Sequence, residues 1–207
     1  MSRDQQTWRK EFKKPDMPKP PQQHPSATTK ASTTVTTKAQ PKPKMELLEM
    51  KQKWIIEYQT AATTTGNTLT IDVTNPKQQI YIYKCSNVTI TIKNKFNTVV
   101  FDSCTKCNLI FETAISSCEV VNCKSTQIQT LGLCPSFTID KTDSCLIYLS
   151  EETKNVSTFV TSKSSEMNVS YPDGNGEMKE IPIPEQFFHK LNDDGVGLST
   201  RVSDLYH

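Results

Sequence analysis

Apolar and polar residues alternate through most of the chain after residue 53, in stretches such as "IYIY" and "VTITI". A period of two is typical of β-strands that bury one face and expose the other. Just before this region, "MELLEMKQKWIIEY" predicts a short helical turn that leads into a first strand, on which Trp54, Ile56 and Tyr58 share one face. We therefore place the start of the folded body at residue 53.

The strands recur about every 19 residues, and five columns of mainly apolar residues keep that step over four or five units. Short strands and corners in each unit predict an all-β chain, a parallel β-helix whose coils stack about 4.8 Å apart. Residues between the inward positions must face outward, and Thr91, Ile110, Gln129 and Tyr148 form one such stack. The inward columns are Ile71, Ile90, Leu109, Ile128 and Ile147; Val73, Ile92, Phe111, Thr130 and Leu149; Leu69, Val88, Cys107, Thr126 and Cys145; Ile82, Phe101, Val120 and Ile139; and Ile80, Val99, Cys118 and Phe137.

The end of the chain follows a different pattern. The repeat weakens after Leu149, although Met167 and Val169 still fit inward positions if the register slips by one position. "DGNGE" is a turn signal, and residues 181–207 then predict a hairpin of two strands around a loop. A hairpin cannot bury all its apolar residues alone, and a solenoid needs its open end covered. We expect this hairpin either to cap the β-helix or to pair with a second subunit.

The seven cysteines include one Cys-x-x-Cys pair, Cys104 and Cys107. The repeat places Cys104 in a corner column with Cys85 and Cys123, whereas Cys107 belongs to an inward column. A zinc site would need four ligands, and there is neither a second pair nor a nearby histidine. We therefore interpret the cysteines as reduced, buried thiols with a structural role, and we expect no bound metal.

Charge is distributed unevenly along the chain. The first 53 residues contain twelve Lys/Arg and five Asp/Glu, a net charge of +7, and the remainder has a net charge of −5. Residues 1–52 are also rich in proline and poor in large apolar residues, so we expect a disordered basic arm. Its "MPKPPQQHP" stretch is a candidate site for an SH3-type partner. No stretch is apolar enough to insert into a membrane, which predicts a cytoplasmic protein.

The residue types of the body argue against several classes of function. There is no glycine-rich phosphate loop, and residues 54–180 contain neither histidine nor arginine, so nothing indicates an enzyme or a cofactor. The negative balance of the body opposes nucleic-acid binding. An outward mixture of Thr, Lys, Gln and Tyr on stacked strands indicates a flat protein-binding surface instead.

Five segments, in order, resemble the C-terminal half of cyclase-associated proteins: "IYIYKCSNVTITIKNK", "VVFDSC", "IDKTDSCLIYLS", "TSKSSEMNV" and "IPIPEQF". The resemblance covers about residues 53–207. Upstream, "SRDQQTWRKEFKKP" resembles the region that follows the WASP-homology 2 actin-binding segment of that family. The basic motif of that segment and the family's N-terminal helical domain are absent, which implies a fragment of a longer protein.

The resemblance implies a right-handed β-helix, residues 53–180, that dimerises by exchanging its C-terminal hairpin, residues 181–207. It also implies a cytoskeletal protein that binds monomeric actin, prefers the ADP form and promotes exchange of ADP for ATP. The implied dimer contacts are Ile181, Ile183, Phe187, Phe188, Leu198 and Val202. The implied actin contacts, chosen as charged residues of the outward face and residues near the C-terminus, are Lys93, Lys95, Lys106, Lys124, Lys163, Glu166, Arg201, Leu205, Tyr206 and His207.

Two alternatives remain open on the sequence alone. One is a dimeric β-helix scaffold without exchange activity. The other is a regulator of small GTPases or tubulin like tubulin-folding cofactor C, whose β-helix relatives use an arginine finger. The three arginines are Arg3, Arg9 and Arg201, and none lies in the predicted solenoid, which counts against the second alternative.

Overall fold

The computed structural model describes residues 41–204, which form fourteen strands and two single-turn 3-10 helices. Predictions about the basic arm before residue 41, including its SH3-type site, lie outside the described residues. So do Leu205, Tyr206 and His207. The strands are β1 (Lys44–Leu48), β2 (Lys53–Glu57), β3 (Thr68–Asp72), β4 (Gln79–Tyr83), β5 (Thr89–Asp102), β6 (Asn108–Val121), β7 (Lys124–Thr130), β8 (Ser136–Asp140), β9 (Asp143–Tyr148), β10 (Thr158–Ser162), β11 (Ser165–Pro172), β12 (Met178–Pro182), β13 (Phe187–Leu191) and β14 (Leu198–Val202).

The predicted parallel β-helix is confirmed, with two parallel sheets that share one core. β2, β4, the second halves of β5 and β6, β8 and β10 form one sheet, whose outward side we call the acidic face. β3, the first halves of β5 and β6, β7, β9 and β11 form the other, whose outward side we call the uncharged face. β5 and β6 are long because each continues from one sheet into the other through a change in register.

The core is built from the inward columns, as alternation predicts. Val99, Phe101 and their predicted column partners lie in register on successive coils, and all are buried. Phe96 and Phe111 meet edge to face, with ring centroids 5.6 Å apart. Burial of such columns on every coil is the main source of stability, since each coil can bury its apolar side chains only against its neighbours.

The constant step predicted from the sequence fails at both ends of the solenoid. Ile71 pairs with Ile92 rather than with Ile90, and Leu69 pairs with Ile90 rather than with Val88, so the first coil is longer than the repeat. The three columns that began at Leu69, Ile71 and Val73 are therefore displaced there. At the other end Ile147 pairs with Val169, so the last coil is also longer than the repeat. The extra residues lie at corners, where the loop length can change without altering the alternation of the strands.

The body begins earlier than predicted. Residues 44–48 form β1, which pairs antiparallel with β2, so the boundary placed between residues 52 and 53 is wrong. A 3-10 turn over 49–51 and the left-handed conformation of Gln52, with φ of 49°, reverse the chain between the two strands. Trp54 and Ile56 face the core as expected. Tyr58 does not, because its φ of 54° turns it into the corner, where it packs edge-on against Tyr83.

The C-terminal region contains an additional strand. The "DGNGE" turn is confirmed, and the Asp173 carboxylate accepts hydrogen bonds from the backbone N–H of Asn175 and Glu177. After this turn β12 pairs antiparallel with β11, so Ile181 belongs to the main sheet and not to the hairpin. The hairpin is β13–β14, residues 187–202, which forms its own two-stranded sheet. The predicted boundary at residue 181 is therefore wrong by one strand.

Candidate functional site

The uncharged face is flat because its side chains repeat in register from coil to coil. The predicted outward stack is confirmed: Thr91 pairs with Ile110, Ile110 with Gln129, and Gln129 with Tyr148. Ile110 and Tyr148 are half-buried and line a shallow depression of about 90 Å³. The second outward column of this face consists of Thr68, Thr89, Asn108, Gln127, Leu146 and Asn168.

A row of lysines, which we call the lysine ridge, runs along the corner between the two faces. The corner has two columns of residues with positive φ, the geometry that turns the chain while backbone N–H groups such as those of Lys84, Lys106 and Lys141 bond to the next coil. Lys106 donates its N–H to the carbonyl of Lys124 at 2.9 Å, and Lys141 donates to the carbonyl of Ser162 at 2.9 Å. The ridge consists of Lys84, Lys106, Lys124, Lys141 and Lys163.

Three of the ridge lysines were predicted from the sequence, and two were missed. Lys84 and Lys141 belong to the same corner column as Lys163, as the hydrogen bonds between successive coils show. Extending the repeat to exposed charges would have found both. Lys106, Lys124 and Lys163 are exposed and form no ion pair within residues 41–204. Their charge is therefore available to a partner.

The other predicted actin contacts of the solenoid, Glu166, Lys93 and Lys95, lie in two different places. Glu166 lies in the second corner column and lines a groove of about 290 Å³ that reaches Leu146 and Asn168 on the uncharged face. Lys93 and Lys95 lie at the opposite ends of the strands. Lys93 stands beside Asp72 on the neighbouring coil, so it belongs to a mixed-charge edge and not to the ridge.

The hairpin presents different side chains on its two faces. Strand alternation places Phe187, Leu191, Leu198 and Val202 on one side, whereas Phe188 and Arg201 pair on the other. Most of these apolar side chains are exposed; Leu198, for example, is 61% exposed. The guanidinium of Arg201 lies 4.8 Å from the centre of the Phe188 ring. The neighbouring Asp204 raises the pKa of Arg201, whose own charge lowers the pKa of Asp204.

The last coil of the solenoid has an open end that exposes both apolar and polar residues. A cavity of about 380 Å³ is lined there by Leu149, Phe159, Val169 and Ile181, and also by the polar residues Lys154, Asn155, Asp173 and Lys179. The ring of Phe159 stacks on that of Phe137 at 5.3 Å but faces no further coil of the described chain on its other side. The solenoid end therefore has unfilled apolar surface of the kind a capping element covers.

The Cys104–Cys107 pair provides no reactive group at the protein surface. All seven cysteines are buried free thiols. Burial raises the pKa of Cys104, while a hydrogen bond from Cys104 lowers the pKa of Cys107 to about 7. A low pKa alone does not make a thiol reactive when it is inaccessible to solvent. Within residues 41–204 no group of three or more His, Cys, Asp or Glu side chains is arranged to hold a metal ion.

Comparison with known proteins places this fold in a family. A family model described as "Adenylate cyclase associated (CAP) C terminal" matches residues 41–205. The chain belongs to this family. It is 40% identical over 165 residues to the adenylyl cyclase-associated protein of Dictyostelium discoideum, covering 78% of this chain and 34% of that protein. It is 41% identical over 160 residues to human adenylyl cyclase-associated protein 2, covering 77% of this chain and 32% of that protein.

A solved structure agrees with the family assignment. The crystal structure of cyclase-associated protein from Cryptosporidium parvum has a TM-score of 0.72 and 32% sequence identity with this chain, covering 79% of this chain and 96% of that one. The chain spans about a third of the length of the curated relatives it matches. Within residues 41–204 no helix has the length and apolar character needed to cross a membrane.

Proposed function

We propose that this chain binds monomeric actin, with a preference for the ADP form, and promotes exchange of ADP for ATP. The observation that carries the proposal is membership of the cyclase-associated protein family across the whole β-helix. The resemblance noted from the sequence implies actin as the partner. The same partner implies a cytoskeletal location.

The surface suits such a partner. Within the lysine ridge, Lys106, Lys124 and Lys163 supply positive charge that forms no ion pair within residues 41–204, and the uncharged face beside it supplies flat contact area with half-buried Ile110 and Tyr148. Actin has an acidic surface, so the ridge would steer the encounter while the face supplies the buried centre. The groove at Glu166 extends from the second corner column to Leu146 and Asn168 on the uncharged face.

Nucleotide exchange would result from a change in the conformation of actin, since the described residues contain no phosphate-binding loop. A protein that binds the open conformation of actin more tightly than the closed one must weaken nucleotide binding by the same factor. Acceleration therefore requires only that the ridge and the uncharged face fit the open form better. This also explains a preference for ADP, if actin opens more readily with ADP than with ATP bound.

Binding to fluorescently labelled monomeric actin tests the surface. Lys106→Glu with Lys124→Glu reverses two adjacent ridge charges, and we expect slower association and a smaller effect of salt on the rate. Lys51→Glu with Lys77→Glu is the matched control, because both are exposed lysines away from the ridge. Equal loss in both variants would show that only net charge matters. Unchanged binding in the ridge variant would favour the scaffold alternative.

We further propose that the active form is a dimer in which the hairpin of each copy covers the open solenoid end of the other. The exposed apolar side of β13–β14 and the apolar cavity at residues 149–181 support this exchange. Phe187→Asp with Leu198→Asp places two charges on that side, and light scattering should then report a monomer. A dimer that survives this change would contradict the proposed role of the hairpin. Ser199→Asp, on the opposite side and not among the implied dimer contacts, is the control.

A further inference from the structure

The acidic face contains an ordered aromatic cluster that the proposed actin surface does not use. We call Tyr58, Tyr81 and Tyr83 the tyrosine patch. Tyr81 and Tyr83 are stacked, with ring centroids 5.9 Å apart and an interplanar angle of 16°, and Tyr58 meets Tyr83 edge-on at 5.8 Å. The Tyr81 hydroxyl donates a hydrogen bond to Asp102 at 2.9 Å. The three half-exposed rings are therefore held in place before any partner arrives.

Negative charge surrounds the patch. Strand register places Glu57 on one side of Tyr83 and Asp102 on the other, on the adjacent coils. Glu119 and Asp140 continue the acidic face over the next two coils. Among the described outward residues of this face the only lysine is Lys53. On β1, Lys44 stands opposite Glu57 but forms an ion pair with Glu46, so the face keeps a net negative charge that favours positively charged partners.

The ring faces already attract cations. The ammonium group of Lys53 lies 4.8 Å from the centre of the Tyr81 ring, and that of Lys84 lies 5.1 Å from the centre of the Tyr83 ring. Both are flexible surface side chains that an incoming ligand can replace. Burial and the bond to Asp102 raise the pKa of Tyr81 to about 12, so its hydroxyl stays neutral.

Apolar rows complete the surface. Ile55 and Val100 stand on either side of Tyr81 on the adjacent coils. Aromatic rings with aliphatic neighbours are the side chains that bind polyproline-type segments, because such segments are already extended and lose little entropy on binding. Adjacent carboxylates then select for Lys or Arg between the prolines.

We propose that the tyrosine patch binds a basic, proline-rich extended segment of another protein. Glu57 and Asp102 pair with the basic side chains, and the rings of Tyr81 and Tyr83 contact the prolines. The patch lies on the acidic face and shares only Lys84, which stands over the Tyr83 ring, with the lysine ridge of the proposed actin surface. It gives the β-helix a second partner surface on its other sheet.

The test is a titration of the full chain with the synthetic peptide (Lys-Pro-Pro)₃, followed by the NMR amide signals. We expect shifts of Tyr81, Tyr83 and Val100, smaller at higher salt, and none on the uncharged face. Two control peptides test the requirement for positive charge and the requirement for proline separately: (Glu-Pro-Pro)₃ reverses the charge, and (Lys-Gly-Ser)₃ removes the prolines. Both controls should bind at least about fivefold more weakly, as expected when one cation or ring contact is lost.

Variants of the chain complete the test. Tyr83→Leu should weaken peptide binding about fivefold, whereas Tyr148→Leu, the matched change on the uncharged face, should leave it unchanged. Unshifted amides far from residue 83 show that each variant is folded. Equal binding of (Lys-Gly-Ser)₃ would overturn recognition of proline, and binding of (Glu-Pro-Pro)₃ would overturn recognition of charge. No binding of any peptide would overturn the proposal as a whole.

Discussion

Replacing Lys106 with glycine has two separate effects: it removes one charge from the lysine ridge, and it changes the stability of the corner in which Lys106 lies. Lys106 has φ of 51°, a left-handed conformation that costs an L-residue about 1–2 kcal/mol. Glycine avoids this cost but loses about 0.5–1 kcal/mol more entropy on folding. We therefore expect Lys106→Gly to raise the free energy of unfolding by about 0.5–1 kcal/mol, which corresponds to about 1–4 °C in melting temperature for a domain of this size.

The same change should weaken association with actin, because it removes a charge from the ridge. Ser125→Gly is the control, since Ser125 occupies the same corner column with φ of 50° and carries no charge. Thermal unfolding and actin-binding kinetics, measured on both variants, then separate the two effects. We expect both to be more stable than the parent chain and only Lys106→Gly to bind more slowly. A destabilised Lys106→Gly would refute the argument from backbone conformation, and equal binding of the two variants would refute the role of Lys106.

Three further predictions concern the solenoid itself. Phe111→Ala should lower the free energy of unfolding by about 3–5 kcal/mol in urea titrations, because the ring is fully buried. Ile110→Ala, on the outward side, should lower it by less than half as much. Similar losses in the two variants would contradict the assigned alternation. Gly132→Ala should cost about 1–3 kcal/mol, since its new Cβ would lie 2.7 Å from the Glu112 carbonyl oxygen, and unchanged stability would contradict the tight packing there. The pKa of Tyr81 is about 12, above its unfolded value, so the stability it contributes is complete below about pH 10 and is lost as pH rises through 12. Asp102→Asn should lower that pKa in an ultraviolet titration, and an unchanged value would show that burial alone raises it.

The sequence predicted those parts of the fold in which one physical rule operates throughout. Val99 and Phe101 could be assigned to the core because alternation and the repeat agree from β4 to β8 of their sheet. Both rules depend on strands stacking directly on strands. At Ile71 the coil is longer than the 19-residue repeat because the corner that follows Ile71 contains extra residues. A fixed period in the sequence does not predict the length of an individual corner.

The structural ends were harder to predict because tertiary pairing decides them. β1 is not part of the repeat, so no periodic pattern predicts it. It forms a strand because it pairs with the free edge of β2. The sequence pattern predicted Ile181 within the hairpin, whereas the preceding turn directs it back onto β11. Among the candidate contacts, Lys106 and Lys124 meet only because the corner brings them onto neighbouring coils. Lys93, chosen by the same charge argument, lies at the other end of the strands, beside Asp72.

Release of a fluorescent ATP analogue from monomeric actin tests the central claim most directly. The chain is added at increasing concentration, and a version that lacks residues 204–207 is measured in parallel. We predict that the intact chain accelerates release in a saturable manner and that the shortened chain is less active, because the resemblance places actin contacts at Leu205, Tyr206 and His207. Full activity of the shortened chain would restrict the site to the ridge and the uncharged face. No acceleration by an intact chain that binds actin would contradict the exchange function.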